Sequence, residues 1–240
     1  MPPFRFKKFS LSHDRSALKI GTDALLLASL TDVKRAEIIL DIGCGCGVVA
    51  FCLAQQSVLK GDTPQIYGVD SDHESIIEAD ENADNYPLLP RTAFHFIGER
   101  IQDFANGPAA LGFDLIVSNP PFFQGDLKPQ RESSLRSKHA DGQLPFEELL
   151  QSVLKMLKQD GRFALILPPA ESERFDQLAQ GRLFCHKRVR VRPVAGKPVH
   201  RVVSEYARQE GPCKESGLTI RETPNAYTNE YAALMEPYLL

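Results

Sequence analysis

A short segment after an apolar run contains the residue types that could hold an amino group. Residues 113–117 are mostly apolar and lead into Asn119, Pro120, Pro121 and Phe122. Proline lacks an N–H and fixes φ, so neither a strand nor a helix continues through the proline pair. We predict a rigid turn at the carboxyl end of a buried strand, where open α/β sheets bind ligands. There the Asn119 side chain and the Pro120 carbonyl would accept two N–H groups, and Phe122 would stack on a planar ring.

A glycine-rich loop upstream favours this interpretation over that of a simple capped turn with a hydrophobic plug. Residues 38–42 predict a short buried strand, followed by Gly43, Gly45 and Gly47 and then by an apolar helix. Strand, glycine loop and helix in this order are the context of a nucleotide-type site. Asp41 at the end of the strand disfavours a pyrophosphate and favours a cationic ligand.

Several acids further along the chain are candidates for contacts with a nucleoside. Asp70 ends the next predicted strand, about 23 residues after Gly47, and a carboxylate at this position can accept hydrogen bonds from both ribose hydroxyls. Asp72 is an alternative to it. After a third strand, Glu99 and Asp103 are two alternative acceptors for an adenine amino group.

The first 30 residues predict a polar, basic arm and a short capping helix. Thr22 or Asp23 is expected to be the N-cap of an apolar helix that ends near Leu30. The structural interpretation is a helix that covers a sheet edge. In the functional interpretation, Lys19, Thr22 and Asp23 contact the cofactor.

Basic residues are distributed unevenly, although the net charge is −3. Seven basic residues and no acid lie between Arg182 and Arg201. Such a stretch can meet phosphates, and the alternative is a solvated charged surface. The candidate substrate contacts are therefore Arg188, Arg190 and Arg201, together with Arg15 in the N-terminal arm.

The order of predicted elements favours one α/β domain. Alternating strands and helices are followed by two strands within residues 184–206 and by a short helix within residues 227–238. We expect one doubly wound sheet, with residues 1–30 as the arm and capping helix and residues 31–240 as a Rossmann-like core.

Composition disfavours several other classes of protein. There is no run of about 18 apolar residues that would span a membrane, and the first residues lack the apolar core of a signal peptide. Five cysteines are an odd number, and Cys44 and Cys46 are too close for an easy disulfide. We therefore expect a cytoplasmic protein without a membrane partner. The histidines and cysteines lack metal-ligand spacing, so no metal is expected.

These motifs, in this order and spacing, resemble those of class I S-adenosylmethionine-dependent methyltransferases that act on exocyclic or amide nitrogens. The wider chain resembles the bacterial tRNA(1)(Val) (adenine(37)-N6)-methyltransferase family. The closer match is carried by residues 13–15, 19–27, 129–132, 200–202 and 227–239.

The resemblance implies a seven-stranded class I sheet with an N-terminal extension and S-adenosylmethionine as cofactor. It further implies N6-methylation of adenosine 37 in the anticodon loop of valine tRNA, by a protein that we expect to be a monomer. It also adds Arg131 to the candidate substrate contacts.

Two positions depart from the family pattern. Phe122 stands where the adenine enzymes more often carry Tyr, and Arg100 with Ile101 stands where an acid and a hydrophobic residue are typical. Three alternatives therefore stay open: a guanine-N2 rRNA methyltransferase, a protein glutamine-N5 methyltransferase, and a catalytically idle RNA-binding module. The first often has a duplicated domain and the second a separate N-terminal helical domain.

Overall fold

A computed structural model describes residues 2–16, 19–108, 112–121 and 144–239 of the 240-residue chain. The helices in these ranges are α1 (Thr22–Leu30), α2 (Val48–Leu59), α3 (His73–Asp84), α4 (Ile101–Phe104), α5 (Phe146–Met156), α6 (Pro169–Ala179) and α7 (Asn229–Met235). The strands are β1 (Phe4–Arg5), β2 (Ser10–Leu11), β3 (Ile38–Ile42), β4 (Gln65–Asp70), β5 (Phe94–Gly98), β6 (Phe113–Ser118), β7 (Leu157–Leu167), β8 (Phe184–Val194), β9 (Arg201–Ala207), β10 (Lys214–Thr223) and β11 (Ala226–Tyr227).

Nine of these strands form one sheet in the order β11-β10-β8-β9-β7-β6-β3-β4-β5, and β1 pairs with β2 in a separate hairpin. Strands β3 to β7 are parallel, β9 lies antiparallel between β7 and β8, and β10 is parallel to β8. The predicted doubly wound sheet is confirmed. Its seven strands from β8 to β5 match the expected core, but β10 and β11 extend it, so the expected number of strands was too low.

The apolar side chains form two cores, one on each face of the sheet. Because side chains alternate along a strand, Ile39 faces the core formed with α1, α2 and α7, whereas Leu40 faces the core formed with α5 and α6. Helix α5 buries Leu149, Leu150 and Val153 on one side, which is the spacing of a helix that lies on a sheet.

The segment that follows β2 is attached to α3 by two buried polar side chains. The Asn82 amide donates to the Ser12 carbonyl and accepts from the Ser12 N–H. The Glu78 carboxylate accepts from the N–H of Arg15 and from the N–H and hydroxyl of Ser16. Burial by itself raises the pKa of Glu78, but these hydrogen bonds outweigh burial and lower it.

The C-terminal residues lie against the N-terminal hairpin. The Lys7 N–H donates to the Tyr238 carbonyl at 2.8 Å, and the Lys7 ammonium pairs with Glu236 at 2.6 Å. The Tyr238 hydroxyl accepts from Gln56 of α2. Residues near both ends of the sequence therefore close the same part of the core.

One element boundary differs from that predicted. The N-cap of α1 is Gly21, and neither Thr22 nor Asp23 caps the helix with its side chain. Strand β7 begins at Leu157 and continues through Gly161. A Cβ at Gly161 would come within 2.8 Å of the Phe113 carbonyl oxygen, so this glycine allows β7 to approach β6 closely and does not end the strand.

Candidate active site

The glycine loop between β3 and α2 lies at the carboxyl edge of the sheet. Gly43, Gly45 and Gly47 all have positive φ, at 72°, 53° and 84°, a region that glycine enters at little cost. The Gly43 N–H donates to the Val69 carbonyl of β4 at 2.8 Å. The backbone of the loop is thus held against the end of the neighbouring strand.

The three glycines border different surroundings. A Cβ at Gly43 or Gly45 would meet no atom within 4 Å, whereas a Cβ at Gly47 would come within 2.7 Å of the Phe51 ring and 3.1 Å of the Phe96 ring. Gly47 is therefore required by packing. Gly43 and Gly45 face open space in which a ligand can approach the backbone.

Asp70 is held by the glycine loop at the end of β4. One carboxylate oxygen accepts from the Gly45 N–H at 2.9 Å, and the other accepts from the Asp72 N–H at 2.9 Å. Asp72 itself caps α3 by accepting from the N–H of Ser75. Of the two predicted alternatives, the structure thus uses Asp72 as a helix cap and places Asp70 beside the loop.

Asp41 is buried beneath the loop and holds the first turn of α2. Its carboxylate accepts from the Ala50 N–H at 3.2 Å. Burial raises its pKa to about 7; the hydrogen bond from Ala50 opposes this shift, and the charge of Asp70 adds to it. The side chain is 1% exposed. This acid therefore has a structural function besides the ligand contact predicted for it.

Residues 119–121, the described part of the predicted turn (the Asn119 turn), follow β6 next to the glycine loop. Ser118 ends β6 opposite Ile42 of β3, and its hydroxyl donates to the Ile42 carbonyl at 3.0 Å. Asn119 is half-buried and Pro120 is buried directly after this junction. The two motifs predicted to share a site therefore follow paired residues of adjacent parallel strands. Phe122 and Arg131 lie outside the described residues.

The predicted cofactor contacts near α1 have partners of their own. The Lys19 ammonium donates to three carbonyls, those of His13, Asp14 and Ser16, at 2.8, 2.9 and 3.2 Å. Asp23 pairs with Arg201 of β9 at 2.7 Å. Thr22 lines a cleft between α1 and the ends of β8 and β10. No described contact joins these residues to the glycine loop, and their role toward the cofactor stays a prediction.

The two acids considered for an adenine contact follow β5 at the same edge of the sheet. Glu99 precedes α4 and Asp103 lies in its first turn, and both are exposed. The structure contains no contact that distinguishes them, and the choice stays open.

The predicted basic contacts differ in how far they are already paired. Arg188 donates to both carboxylate oxygens of Asp176 at 2.8 and 2.7 Å, with its side chain 16% exposed. Arg201 is paired with Asp23, and Arg15 donates to Glu81 at 2.8 Å. The Arg190 side chain is 42% exposed, and its distance of 3.4 Å to Glu215 is longer than the shortest distance in each of the other three pairs. Arg190 is therefore the most available of the four for a contact with phosphate.

Comparison with known proteins finds relatives that match nearly the whole of this chain. A protein-family model described as a methyltransferase domain matches residues 33–207. A Photorhabdus laumondii protein named tRNA1(Val) (adenine(37)-N6)-methyltransferase is 37% identical over 239 residues, covering 99% of this chain and 95% of that protein. A Trichodesmium erythraeum protein of the same name is 36% identical, with 99% and 97% covered. The chain belongs to the tRNA1(Val) (adenine(37)-N6)-methyltransferase family.

Solved structures support the fold assignment for this family member. A predicted O-methyltransferase from Agrobacterium tumefaciens superposes with a TM-score of 0.67 at 15% identity, covering 90% of this chain and 96% of that one. A class I S-adenosylmethionine-dependent methyltransferase from Listeria monocytogenes gives 0.55 at 16% identity, with 84% and 67% covered. The class I methyltransferase fold is therefore confirmed.

Sequence reasoning missed two polar residues that hold the site together in this family member. The Asn82 amide, besides binding Ser12, donates to the Cys46 carbonyl of the glycine loop at 3.0 Å. The Ser118 hydroxyl joins β6 to β3. Asn82 lies three residues after buried Ala79, on the apolar side of α3, and a polar residue at such a position is the signal that points to it.

Within the described ranges, no helix is long and apolar enough to cross a membrane. The same residues contain no group of three or more His, Cys, Asp or Glu side chains that could hold a metal ion.

Proposed function

We propose that this protein methylates N6 of adenosine 37 in the anticodon loop of valine tRNA, with S-adenosylmethionine as methyl donor. The observation that carries the proposal is the junction of the glycine loop and the Asn119 turn on paired residues of β3 and β6. Full-length relatives named for this reaction support the choice of substrate.

The glycine loop fits S-adenosylmethionine. Open space lies at Gly43 and Gly45, and Asp70 is oriented beside them with its carboxylate half-buried. In this arrangement Asp70 accepts hydrogen bonds from ribose hydroxyls, and its negative charge, together with that of the partly ionised Asp41, favours a cationic ligand. The bound cofactor supplies a methyl group activated by a sulfonium.

Asn119 and Pro120 position the amino group that receives the methyl. The lone pair of an adenine amine is delocalised into the ring, so the amine is a poor nucleophile. The Asn119 side-chain oxygen and the Pro120 carbonyl accept its N–H groups and stabilise the positive charge that develops on nitrogen. Asparagine is no base, so the proton leaves to water. The rest of the rate comes from the alignment of the reacting atoms.

The test uses purified protein, S-adenosylmethionine and an unmodified valine tRNA transcript, followed by mass spectrometry of the nucleosides. We expect N6-methyladenosine with the native protein. In Asn119→Ala we expect a rate about 100-fold lower, the loss typical of removing one preorganised polar group, with cofactor affinity nearly unchanged. Asn106→Ala, which alters an exposed asparagine of the loop after α4, is the matched control and should keep the native rate.

Other products would redirect the assignment. N2-methylguanosine as the product would retain the mechanism but make guanine the methylated base, which Phe122 permits. No product on tRNA, with the cofactor still bound, would contradict the proposed substrate and favour rRNA or a protein glutamine. Equal activity of Asn119→Ala and the native protein would contradict the role of the Asn119 turn.

A further inference from the structure

A cleft of about 260 Å³ lies at the rim of the sheet and shares only Thr22 with the residues predicted to contact the cofactor or the methylated base. We call it the rim cleft; its lining includes Thr22, Pro193, Ile220, Arg221, Tyr227 and Tyr231. Its volume is below the range of about 300–1,000 Å³ that is typical of sites for drug-sized ligands. The cleft therefore suits a single planar group better than a whole cofactor.

The chemistry of the rim cleft is that of a stacking platform. The Arg221 guanidinium lies 4.1 Å from the centre of the Tyr227 ring. Its position is fixed by hydrogen bonds to the Pro224 carbonyl and the Tyr227 hydroxyl, both at 2.9 Å. The Tyr227 ring also lies 5.1 Å from the Tyr231 ring. Aromatic rings and arginine planes are the groups on which proteins stack unpaired RNA bases.

The Tyr227 side chain is largely exposed to solvent. It is 52% exposed, and the only other large hydrophobic side chain with comparable exposure among the described residues is Leu59, at 56%. An exposed tyrosine with a fixed cationic neighbour is already ordered before a partner arrives, so little side-chain entropy is lost on binding.

The rim cleft opens at the same edge of the sheet as the candidate active site. Arg221 of β10 pairs with Val194, the last residue of β8. Strand β9 is antiparallel to both β7 and β8, so β8 runs in the same direction as β7 and β6. The end of β8 and Arg221 therefore lie at the same edge of the sheet as the carboxyl ends of β6 and β3. Four strand spacings separate β6 from β10, about 19 Å at the usual spacing of about 4.8 Å. A few unpaired nucleotides can bridge this distance.

Arg192 directly precedes Pro193, a residue that lines the rim cleft. Arg192 of β8 extends over Gly217 of β10, with its guanidinium 3.7 Å from the position of a Cβ there. Among the described residues it has no acid within ion-pair distance, in contrast to Arg188. A guanidinium of this kind can contact the phosphate next to a stacked base.

We propose that the rim cleft binds an unpaired base of the RNA substrate, a few nucleotides from the base that is methylated. The base stacks against the Arg221–Tyr227 pair, and Arg192 contacts a phosphate of the same RNA segment. This inference rests on the proposed function for the identity of the RNA, but the chemistry of the cleft is independent of the methyl transfer.

The test compares native protein, Tyr227→Ala, Tyr227→Phe and Arg221→Lys in binding a fluorescent anticodon stem-loop RNA, measured by anisotropy. We expect Tyr227→Ala to bind about tenfold more weakly, since stacking on one aromatic ring has about that effect. Tyr227→Phe keeps the ring and should stay within about twofold of native. Arg221→Lys keeps the charge but loses the planar guanidinium, so its RNA affinity should lie between those of the native protein and Tyr227→Ala. Leu59→Ala, at the opposite edge of the sheet, is the control.

Kinetics and crosslinking separate this proposal from the proposed function. We expect Tyr227→Ala to raise KM for RNA about tenfold with kcat and cofactor affinity unchanged, and ultraviolet crosslinking of native protein to attach RNA to the peptide that contains Tyr227. Native affinity in Tyr227→Ala would overturn the rim cleft as a base site even if methylation is confirmed. RNA binding that depends on Tyr227, without methylation, would retain the cleft and contradict the proposed function. Loss of cofactor affinity in Tyr227→Ala would also overturn the inference.

Discussion

Asp41 places a carboxyl group beneath the glycine loop, where water does not reach it. It accepts one backbone hydrogen bond, from Ala50, and lies near Asp70, Cys44 and Cys46, which add no positive charge. Burial therefore raises the pKa of Asp41 to about 7. Around neutral pH the Asp41 carboxyl is partly protonated in the protein without a bound ligand, so its charge depends on pH within the physiological range.

We predict that this group makes the free energy of unfolding depend on pH. The folded pKa of Asp41 lies above its ordinary value of 3.8, so between these values the folded state holds a proton that the unfolded chain has released. Stability must then fall as the pH rises through this interval. Between pH 5 and 8 the fall due to Asp41 is expected to be about 2–3 kcal/mol.

Urea unfolding at several pH values tests this prediction. In Asp41→Asn the side-chain oxygen still accepts from Ala50, but the titration is lost, so the fall in stability between pH 5 and 8 should be smaller by about that amount. Asp62→Asn alters an exposed carboxylate and should follow the native curve. Parallel curves for the native protein and Asp41→Asn would contradict a raised pKa.

Predictability at the residue scale depended on whether a residue's partners are close in the sequence. Asp41, Asp70 and Asn119 could be placed because each lies at or next to the end of a strand whose apolar pattern is clear. Arg188 and Arg201 were assigned to phosphates because nothing in the sequence shows that each pairs with an acid on a different element. Such pairs form only when the sheet and its helices assemble.

At the scale of elements, close contact between strands β4 and β5 and the glycine loop leaves no room at Gly68. A Cβ there would come within 2.5 Å of the Phe96 ring and 2.9 Å of the Cys44 sulfur. Phe96 is itself packed against Phe51 and Phe94. The absence of a side chain at this position therefore keeps the loop in place.

We predict that Gly68→Ala lowers the free energy of unfolding by about 1–3 kcal/mol, the usual effect of overpacking a core. It should also weaken cofactor binding, because displaced Cys44 belongs to the glycine loop. Gly217→Ala is the matched control: this strand glycine has only ordinary contacts, at 3.7 Å or more, around a new Cβ. Urea unfolding and calorimetric titration with S-adenosylmethionine measure the two effects, and equal behaviour of the two variants would contradict the prediction.

Buried elements were predictable from the sequence, and edge elements were not. Strands β3 and β6 bury nearly every residue, and β4 buries three of its six, so their apolar runs identify them. Strand β10 buries only Leu218 among its ten residues, because it lies near the edge of the sheet with little covering it. A strand of this kind has no apolar alternation, and its position became evident only from its pairing with β8.

At the scale of the whole molecule, basic residues are concentrated in one stretch, Arg182 to Arg201, although the net charge is −3. The sheet strand β8 carries Arg188, Arg190 and Arg192 on one face, and only the first is fully engaged with acids. A face of this kind attracts RNA phosphates in spite of the overall charge.

We predict that RNA affinity falls steeply with salt and that Arg192→Gln reduces the slope of log K against log salt by about 0.7–1, the loss of one phosphate contact. Arg91→Gln is the matched control, because Arg91 is paired with Asp80 and Asp84 beside α3. Anisotropy titrations over a range of salt concentrations give both slopes. An unchanged slope for Arg192→Gln would contradict a contact between Arg192 and an RNA phosphate.

The contact between Lys7 and Tyr238 has a consequence for how the protein is made. The hairpin formed by β1 and β2 leaves the ribosome before its partner in this contact, which is synthesised 231 residues later. At about 5–20 residues per second, roughly ten seconds or more pass before the two can meet. During that interval Phe6 and Phe9, which are buried in the finished protein, lack part of their cover. The nascent chain therefore presents a transient apolar surface that chaperones can bind until Tyr238 has been synthesised.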